Sequence, residues 1–376
     1  MFLKPTATKG RGSVSNTTGR YETHTLHAID DGWHTYAEPE EECLTHERPP
    51  IRTPRGTPLR TTWRDDKSKS VIARNRSPDI HFDRSLNPYR GCEHGCIYCF
   101  ARPTHTWLGH SAGLDFETKL YAKRDAAALL KLELAKPSYQ CEPIAIGVNT
   151  DAYQPLEKQL KITRNVLQVL LEAQHPAYLI TKSALIERDI DILQQMAQNN
   201  LVSVCVSITT LDRTLARKLE PRATSPHRRL QTLQSLSDAG IPTRVSVSPV
   251  IPALNEEELD AIIMNAASAG ARAAYAIVLR LPHELQQLFP EWLYEHYPLR
   301  AERVLKAIRS IRENKLNDAD FNTRMRGSGP RADIIQQRLD LACKRANISV
   351  GRDFQLNTSN FIRPVHSATP QMDLFA

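Results

Sequence analysis

The chain has 376 residues, of which seven are cysteines, and it carries a net charge of +7 with an isoelectric point near 9.0. Seven unevenly spaced cysteines are unlike a secreted disulfide framework, and the first residues, MFLKPTATKGRG, lack the apolar core of a signal peptide. No apolar run reaches the roughly eighteen residues that a membrane-spanning helix requires, so the sequence predicts a cytoplasmic protein that does not cross a membrane.

Residues 1–78 are predicted to form a basic, partly irregular N-terminal arm or cap, because they are rich in Gly, Pro, Thr and charge and show no sustained helical or strand period. From Arg48 to Arg76, nine Lys and Arg stand against two Asp, and Trp63 lies among them. Basic side chains around an aromatic ring suit a nucleic-acid backbone and a stacked base. A solvated basic arm without a partner is the alternative.

Residues 79–285 show short apolar runs that alternate with amphipathic segments, beginning with a strand just before Cys92. Strands alternating with helices predict right-handed βαβ units in a parallel sheet, and about six such units are fewer than the eight of a closed barrel. The predicted fold class is therefore α/β, a partial (βα)6 barrel of the TIM type. The later strands are predicted at 144–149, 177–181, 202–208, 243–250 and 273–279, and the helices between them at 160–173, 187–198, 227–239 and 256–269.

Residues 286–362 are predicted to form a C-terminal helical extension, with helices over about 300–313 and 332–346. The barrel's chemistry is expected elsewhere, because parallel βα folds place their active sites at the carboxyl ends of the strands. The segments that follow the predicted strands are the cysteine loop, NTDAYQPLE, TKS, SITTLD and SPVIP.

The cysteine loop, SLNPYRGCEHGCIYCFAR, contains Cys92, Cys96 and Cys99 within eight residues. Cysteine thiolates bind zinc or iron–sulfur clusters. A structural zinc needs four ligands, so His94 or His105 would have to complete a Cys3His site. Three thiolates on a cluster of four irons would instead leave one iron without a protein ligand, and that iron could bind a substrate or cofactor.

The spacing Cys-x3-Cys-x-aromatic-Cys, with Tyr98 as the aromatic residue, resembles the signature of radical SAM enzymes. Together with TDAYQPLE, TKS, SITTLD and LEPRA, the loop is similar to the DNA-repair photolyase-like branch of that superfamily, which is related to spore photoproduct lyase. The resemblance implies that the three cysteines hold a 4Fe–4S cluster. It also implies that the open iron binds S-adenosylmethionine (SAM), whose reductive cleavage gives a 5′-deoxyadenosyl radical.

The resemblance further implies a set of cofactor-binding residues. Tyr98 would lie against the adenine, and Thr150 and Asp151 would lie near the methionine moiety. Lys182 and Ser207 would contact the methionine carboxylate and the ribose. Each strand-end Thr, Ser or Asp has an alternative role in turns or helix caps.

The same resemblance implies a nucleic-acid substrate, DNA in the first place, a lyase-like repair reaction and an electron donor protein. Arg222 of LEPRA is a candidate for a substrate phosphate, with a structural ion pair as its alternative. Two other functions stay open. One is a radical SAM enzyme that acts on a peptide, an RNA or a small molecule, and the other is a non-enzymatic, metal-containing nucleic-acid-binding adaptor.

The lesion-splitting lyases of this branch return a hydrogen atom from a cysteine near the second strand end, and Val148 takes that place here. Cys141 precedes the strand, and at about 3.3 Å per residue it lies roughly 25–30 Å from the carboxyl end. Cys205 shares strand parity with the serine at its strand end, although a buried core role is its alternative. Tyr153 and Tyr275 are alternative radical relays.

The last residues, 363–376, are predicted to be a flexible tail that ends SATPQMDLFA. Gln371, Leu374 and Phe375 resemble the Gln-x-x-Leu-Phe peptide that docks bacterial repair proteins and polymerases on the replication sliding clamp. A disordered segment can order on binding, with the apolar pair in a pocket. A tail that folds back on the barrel is the alternative.

Overall fold

The computed structural model describes residues 7–22, 59–351 and 355–365. Within these ranges the strands form one sheet of eight and one of three. The strands are β1 (Thr62–Asp65), β2 (Ile72–Arg74), β3 (Arg84–Leu86), β4 (Tyr89–Arg90), β5 (Lys119–Ala122), β6 (Ile144–Ile146), β7 (Ala177–Thr181), β8 (Val202–Ser207), β9 (Thr243–Val250), β10 (Ala273–Val278) and β11 (Ser349–Val350).

Six neighbouring strands of the larger sheet, β3, β6, β7, β8, β9 and β10, run parallel. Antiparallel β2 borders β3, and β11 pairs only with the first two residues of β10. In the described part of the chain the two borders do not pair with each other, so the barrel stays open between β10 and β2. We call this gap the lateral opening. The predicted partial (βα)6 barrel is confirmed.

Helices cover the outer face of this sheet, and each predicted barrel strand and helix overlaps an observed one. None of the helices in the described ranges combines the length and the apolar character needed to cross a bilayer. The helices are α1 (Asp115–Thr118), α2 (Ala126–Leu134), α3 (Glu157–Leu160), α4 (Ile162–Glu172), α5 (Ile190–Gln198), α6 (Arg213–Leu219), α7 (Pro226–Asp238), α8 (Leu259–Ser268), α9 (Leu285–His296), α10 (Pro298–Ser310) and α11 (Pro330–Ala346), with short 3-10 helices at Arg102–Leu108, Ala184–Asp189 and Glu256–Glu258.

The period-two pattern of the strands separates an apolar outer face from a polar interior. In β8, Val204 and Val206 belong to the core formed with the outer helices, including Leu233 of α7. The alternate residues Cys205 and Ser207 are also buried but lie outside that core cluster. The side chains at the carboxyl ends of the strands therefore include polar groups that face the barrel interior.

A second apolar core packs against the cysteine loop. Ile97 and Tyr98 of the loop belong to one apolar cluster with Leu219 of α6 and with Phe289 and Trp292 of α9. The Trp292 indole donates a hydrogen bond of 3.1 Å to a carbonyl oxygen of α6. α9 was not predicted from the sequence. It packs against the cysteine loop and α6 in this cluster.

The smaller sheet has the strand order β1-β5-β4. Tyr121 of β5 pairs with Arg64 of β1 on one side and with Arg90 of β4 on the other. Because paired residues point to the same face, these three side chains form one row across the sheet. We call them the arginine row. Arg90 ends β4, and Cys92 follows two residues later.

Candidate functional site

The cysteine loop lies where β3 and β4 end, and its backbone is closed by short turns. Cys92 and Cys96 are buried, Cys99 is half-buried, and the three thiols form no disulfide. The Cys99 N–H donates to the Cys96 carbonyl at 3.2 Å, and the Cys92 N–H donates to the carbonyl of Phe116 at 2.9 Å. The loop thus presents its three thiols from a fixed backbone.

A buried arginine holds this backbone from behind. The Arg102 guanidinium donates to the carbonyls of Cys96 and Gly95 at 2.8 and 3.0 Å, and to those of residues 112 and 113 at 3.1 and 2.9 Å. It also forms an ion pair of 2.5 Å with Glu117. Both side chains are fully inaccessible to solvent. We call Arg102 and Glu117 the loop clasp.

The N-terminal segment completes the clasp. The backbone N–H groups of Gly12 and Ser13 donate to the Glu117 carboxylate at 3.0 and 2.9 Å, and Arg11 donates to the Glu117 carbonyl at 2.9 Å. Residues 11–15 are buried. This part of the predicted arm is therefore packed against the cysteine loop.

Replacing Gly12 by alanine should dislodge this segment. The added Cβ atom would lie 1.7 Å from the carbonyl oxygen of Gly95, a backbone atom that cannot yield without moving the cysteine loop. We expect destabilisation of about 1–3 kcal/mol and poor retention of iron after reconstitution. Gly10→Ala is the matched control, because its Cβ would meet nothing within 4 Å, although its φ of +75° costs about 1 kcal/mol. Equal iron content in the two variants would contradict the proposed contact.

Burial makes the isolated thiols poor anions. It raises the pKa of Cys96 to about 12, although the nearby Lys182 opposes the shift. Burial, followed by the charge of Asp151, raises the pKa of Cys92 well above its ordinary value. A metal centre deprotonates such thiols by binding them. The loop therefore suits a cationic ligand that compensates for several buried thiolates.

The three cysteines of the loop could hold a metal centre. Among the residues that the structure describes, no three His, Cys, Asp or Glu side chains converge on one metal-ion position. Ligands of a single zinc ion must converge in that way, whereas thiolates of a four-iron cluster each bind a different iron. Cys92, Cys96 and Cys99 are three thiols on one loop that could each bind a different iron.

Asp151 links the cysteine loop to the ends of two strands. Its carboxylate accepts hydrogen bonds from the Thr181 hydroxyl at 2.7 Å and from the Lys182 N–H at 2.8 Å, and it lies 3.3 Å from His94 Nδ1. Burial alone would raise the pKa of Asp151, but His94 and Lys182 outweigh it and hold this pKa well below its usual range. The carboxylate therefore holds His94, Thr181 and the Lys182 backbone in position.

Asp151→Asn should loosen this junction. An amide offers one oxygen in place of two and turns an N–H2 donor towards other donors, which leaves buried groups unpaired. We expect a loss of about 1–3 kcal/mol in the free energy of unfolding, measured by chemical denaturation. The exposed Asp238→Asn should change it by less than about 0.5 kcal/mol. An Asp151→Asn protein as stable as the wild type would contradict this role.

Tyr98 anchors a buried polar network beside the loop. Its hydroxyl donates to the Glu220 carboxylate and lies 3.1 Å from Thr209 Oγ1. Glu220 also pairs with Arg229, and both side chains are buried. Lys182 Nζ lies 6.0 Å from the centre of the Tyr98 ring. Lys182 and Tyr98, which the sequence analysis placed on different elements, therefore lie together next to Cys96.

The sequence analysis missed Glu220 and Arg229. It selected only Arg222 from LEPRA, and that side chain forms an ion pair of 2.9 Å with Glu93 of the cysteine loop. Burial alone would raise the pKa of Glu220, but Arg229 and Lys182 lower it to about 2. The only sign of Glu220 in the sequence was an acidic residue directly before the Pro-Arg pair. No periodic pattern marks such a residue as buried.

The two strand-end hydroxyls have internal partners. Thr150 donates to the carbonyl of Tyr89 at 2.9 Å, and Ser207 donates to that of Ser248 at 3.4 Å. Both residues are almost fully buried. Their structural roles are thus visible, and their contacts with a cofactor stay predictions.

The cysteines outside the loop lie where the strand register predicts. Cys141 lies before β6, at the amino end of the barrel, as expected. Cys205 is buried in the interior, with its sulfur 3.5 Å from the Tyr275 hydroxyl. Tyr153 is also buried. Gln371, Leu374 and Phe375, and the basic stretch before residue 59, lie outside the described residues.

Comparisons with known proteins identify relatives of this site and fold. A profile of the radical SAM superfamily matches residues 86–265. An uncharacterised protein of Mycobacterium tuberculosis is 35% identical over 242 residues, which are 63% of this chain and 71% of the relative. Another, from Methanocaldococcus jannaschii, is 28% identical over 192 residues, 51% of this chain and 69% of the relative.

Solved structures with a similar fold include two of spore photoproduct lyase. A mutant of spore photoproduct lyase superposes with a TM-score of 0.52 at 14% sequence identity, covering 77% of this chain and 80% of the other. The same lyase complexed with dinucleoside spore photoproduct gives a TM-score of 0.51 at 13% identity, with the same coverage of 77% and 80%. At such low identity the similarity shows a shared fold.

Proposed function

Because the chain belongs to the radical SAM superfamily, we propose that it is an enzyme that holds a 4Fe–4S cluster through Cys92, Cys96 and Cys99 and cleaves S-adenosylmethionine. The cluster and SAM together supply a 5′-deoxyadenosyl radical that can abstract a hydrogen atom from a substrate. The observation that carries this proposal is the set of three buried or half-buried thiols on a clasped loop at the carboxyl end of a partial barrel.

Lys182 is the residue best placed to bind the carboxylate of SAM. Its ammonium lies near Cys96 and over the Tyr98 ring. Burial alone would lower the pKa of Lys182, but Cys96, Glu220 and Asp151 outweigh it and raise the pKa, so the side chain stays a cation. A cation of this kind suits a carboxylate, and the Tyr98 ring offers an apolar face for the adenine.

The proposed substrate is nucleic acid, and DNA in the first place. The arginine row supports it, because Arg64 and Arg90 are exposed on the sheet whose last strand leads into Cys92. From residue 59 to 76, all six Lys and Arg side chains are exposed, against two Asp. A phosphate backbone that follows this surface would reach the cysteine loop.

DNA binding at several salt concentrations tests this substrate class. A nucleic-acid ligand bound through these charges should lose affinity steeply as salt rises. Binding that is weak and independent of salt would favour a peptide or small-molecule substrate. An adaptor that does no chemistry would bind DNA but release no 5′-deoxyadenosine. The proposed reaction on a damaged base is lyase-like and draws its electron from a donor protein.

A second proposed partner is the bacterial sliding clamp, through Gln371, Leu374 and Phe375. Deletion of residues 371–376 should abolish clamp binding, measured by surface plasmon resonance with the intact chain. SAM cleavage should be unchanged, because the tail is not part of the cysteine loop or of the strand ends. A deletion that leaves clamp affinity unaltered would rule out this docking peptide.

A further inference from the structure

An ion pair bridges the lateral opening. Arg324, in the segment between α10 and α11, donates twice to the Asp79 carboxylate, each time at 2.6 Å. Asp79 lies between β2 and β3, on the opposite side of the gap. Arg312 holds the Arg324 segment in place, because it donates to the carbonyls of Thr323 and Arg324 at 3.0 and 2.9 Å. The ion pair between Arg324 and Asp79 therefore has a fixed position across the lateral opening.

A cavity of about 380 Å³ lies beside the bridge, and its walls include Asp79, Ala276, Phe321, Met325 and Arg326. A second hollow, of about 300 Å³, shares Asp79 and Ala276 with it and continues along β10. These volumes fall near the lower end of the roughly 300–1,000 Å³ that small-ligand sites occupy. The lateral opening therefore has room for part of a substrate.

Arg280 lies against Met325 of the cavity wall and is not itself one of the lining residues. It follows β10 at the carboxyl end, and its Nε atom is buried without a hydrogen-bond partner. Its guanidinium contacts the Met325 sulfur at 3.7 Å and lies 5.8 Å from the centre of the Phe100 ring. In the described part of the chain, no carboxylate forms an ion pair with it. Such a half-buried charge, with its Nε atom unpaired, is costly unless an anion compensates for it.

The neighbouring charges do not supply that anion. Burial, and then the charge of Arg324, lower the pKa of Arg280, while Asp79 opposes the shift only in part. Asp79 is already bound at both oxygens by Arg324. Arg326, in the cavity wall, is exposed and adds further positive charge. Three arginines near a single aspartate therefore leave a net positive site.

We propose that Arg280 binds a phosphate group of the nucleic-acid substrate at the lateral opening, an inference that rests on the proposed function. A guanidinium with unused N–H groups matches the geometry of a phosphate. Phe100, which is 49% exposed, follows Cys99 directly, so an anion bound at Arg280 lies next to the cysteine loop. Phe321, in the cavity wall, is 44% exposed. Arg324 lies over one face of its ring, 4.5 Å from the ring centre, and an adjacent base can stack on the other face.

The test compares Arg280→Gln, Arg280→Lys and the wild type, each as reconstituted full-length protein. The probe is a labelled single-stranded oligothymidylate, titrated at several salt concentrations. Arg280→Gln should weaken binding about tenfold and reduce the salt slope by about 0.7, the contribution of one phosphate contact. Arg280→Lys should bind with an affinity between those of Arg280→Gln and the wild type, because it keeps the charge but not the paired donors of the guanidinium. Arg272→Gln, exposed just before the amino end of the same strand, is the matched control and should bind like the wild type.

Thermal unfolding separates binding from a structural role. Removal of an unpaired, desolvated charge should leave the melting temperature of Arg280→Gln equal to or above that of the wild type. A variant that melts lower and binds less would indicate a structural role and overturn the proposal. Unchanged affinity with an unchanged salt slope would overturn it as well.

Inorganic pyrophosphate tests the subsite independently of DNA. If the wild type binds no oligothymidylate, the DNA substrate of the proposed function fails. Calorimetric binding of pyrophosphate by the wild type and not by Arg280→Gln would then still support the phosphate subsite. The absence of that difference would overturn it, even in a protein that binds DNA through the arginine row.

Discussion

Cys96→Ala is expected to abolish cluster assembly and all release of 5′-deoxyadenosine. Cys96 is buried beside Lys182 and Tyr98, and Arg102 holds its backbone carbonyl, so its thiol has a fixed position in the loop. Two remaining thiolates would have to support the proposed four-iron cluster, which already lacks a fourth protein ligand. Iron and sulfide analysis, visible absorbance and chromatography of the SAM products measure the loss.

Cys343→Ala is the matched control for this variant. Cys343 is fully buried in α11 and belongs to the core between the sheet and its helices. Its replacement should cost about 1 kcal/mol of stability and leave the iron content unchanged. A full complement of iron in Cys96→Ala would contradict the assignment of the cysteine loop.

Arg102→Leu is expected to lower the free energy of unfolding by about 3–5 kcal/mol, because it leaves Glu117 buried without its countercharge. The four carbonyls that Arg102 satisfies would also lose their donor, including that of Cys96. We therefore expect iron to be lost together with stability. Arg102→Lys should rescue little, because an ammonium cannot reproduce the five donors of a guanidinium in their fixed geometry.

Arg222→Gln provides the comparison. Arg222 also pairs with an acidic residue of the cysteine loop, but its side chain is 38% exposed. A pair that is screened by solvent contributes about 0–1 kcal/mol, so this variant should unfold close to the wild type. Chemical denaturation of the two proteins, with iron analysis of the same samples, measures both effects. An Arg102→Leu protein with normal stability and iron would contradict the role of the clasp.

The sequence predicted the barrel because its signal is local. The runs at 177–181 and 243–250 coincide with β7 and β9. The run of β7 is almost continuously apolar, as buried parallel strands often are, whereas β9 alternates valine with polar residues along most of its length. The cysteine loop was found in the same way, from spacing alone. In both cases neighbouring residues carry enough information to define the element.

The clasp could not be found by such reasoning. Arg102 and Glu117 are fully buried, although arginine and glutamate are ordinarily surface residues. Gly12 reaches the same place from 105 residues away in sequence, through its contact with Glu117. A single sequence does not show which residues far apart in the chain contact each other. The arm therefore looked irregular where it is in fact packed.

The most direct test of the central claim is 5′-deoxyadenosine release by the reduced, reconstituted protein with SAM. It is run in parallel without DNA, with intact DNA and with ultraviolet-damaged DNA. We predict that damaged DNA stimulates this release. Release indifferent to DNA would contradict a nucleic-acid substrate while keeping SAM cleavage, and no release from protein with a full complement of iron would contradict the enzymatic function itself.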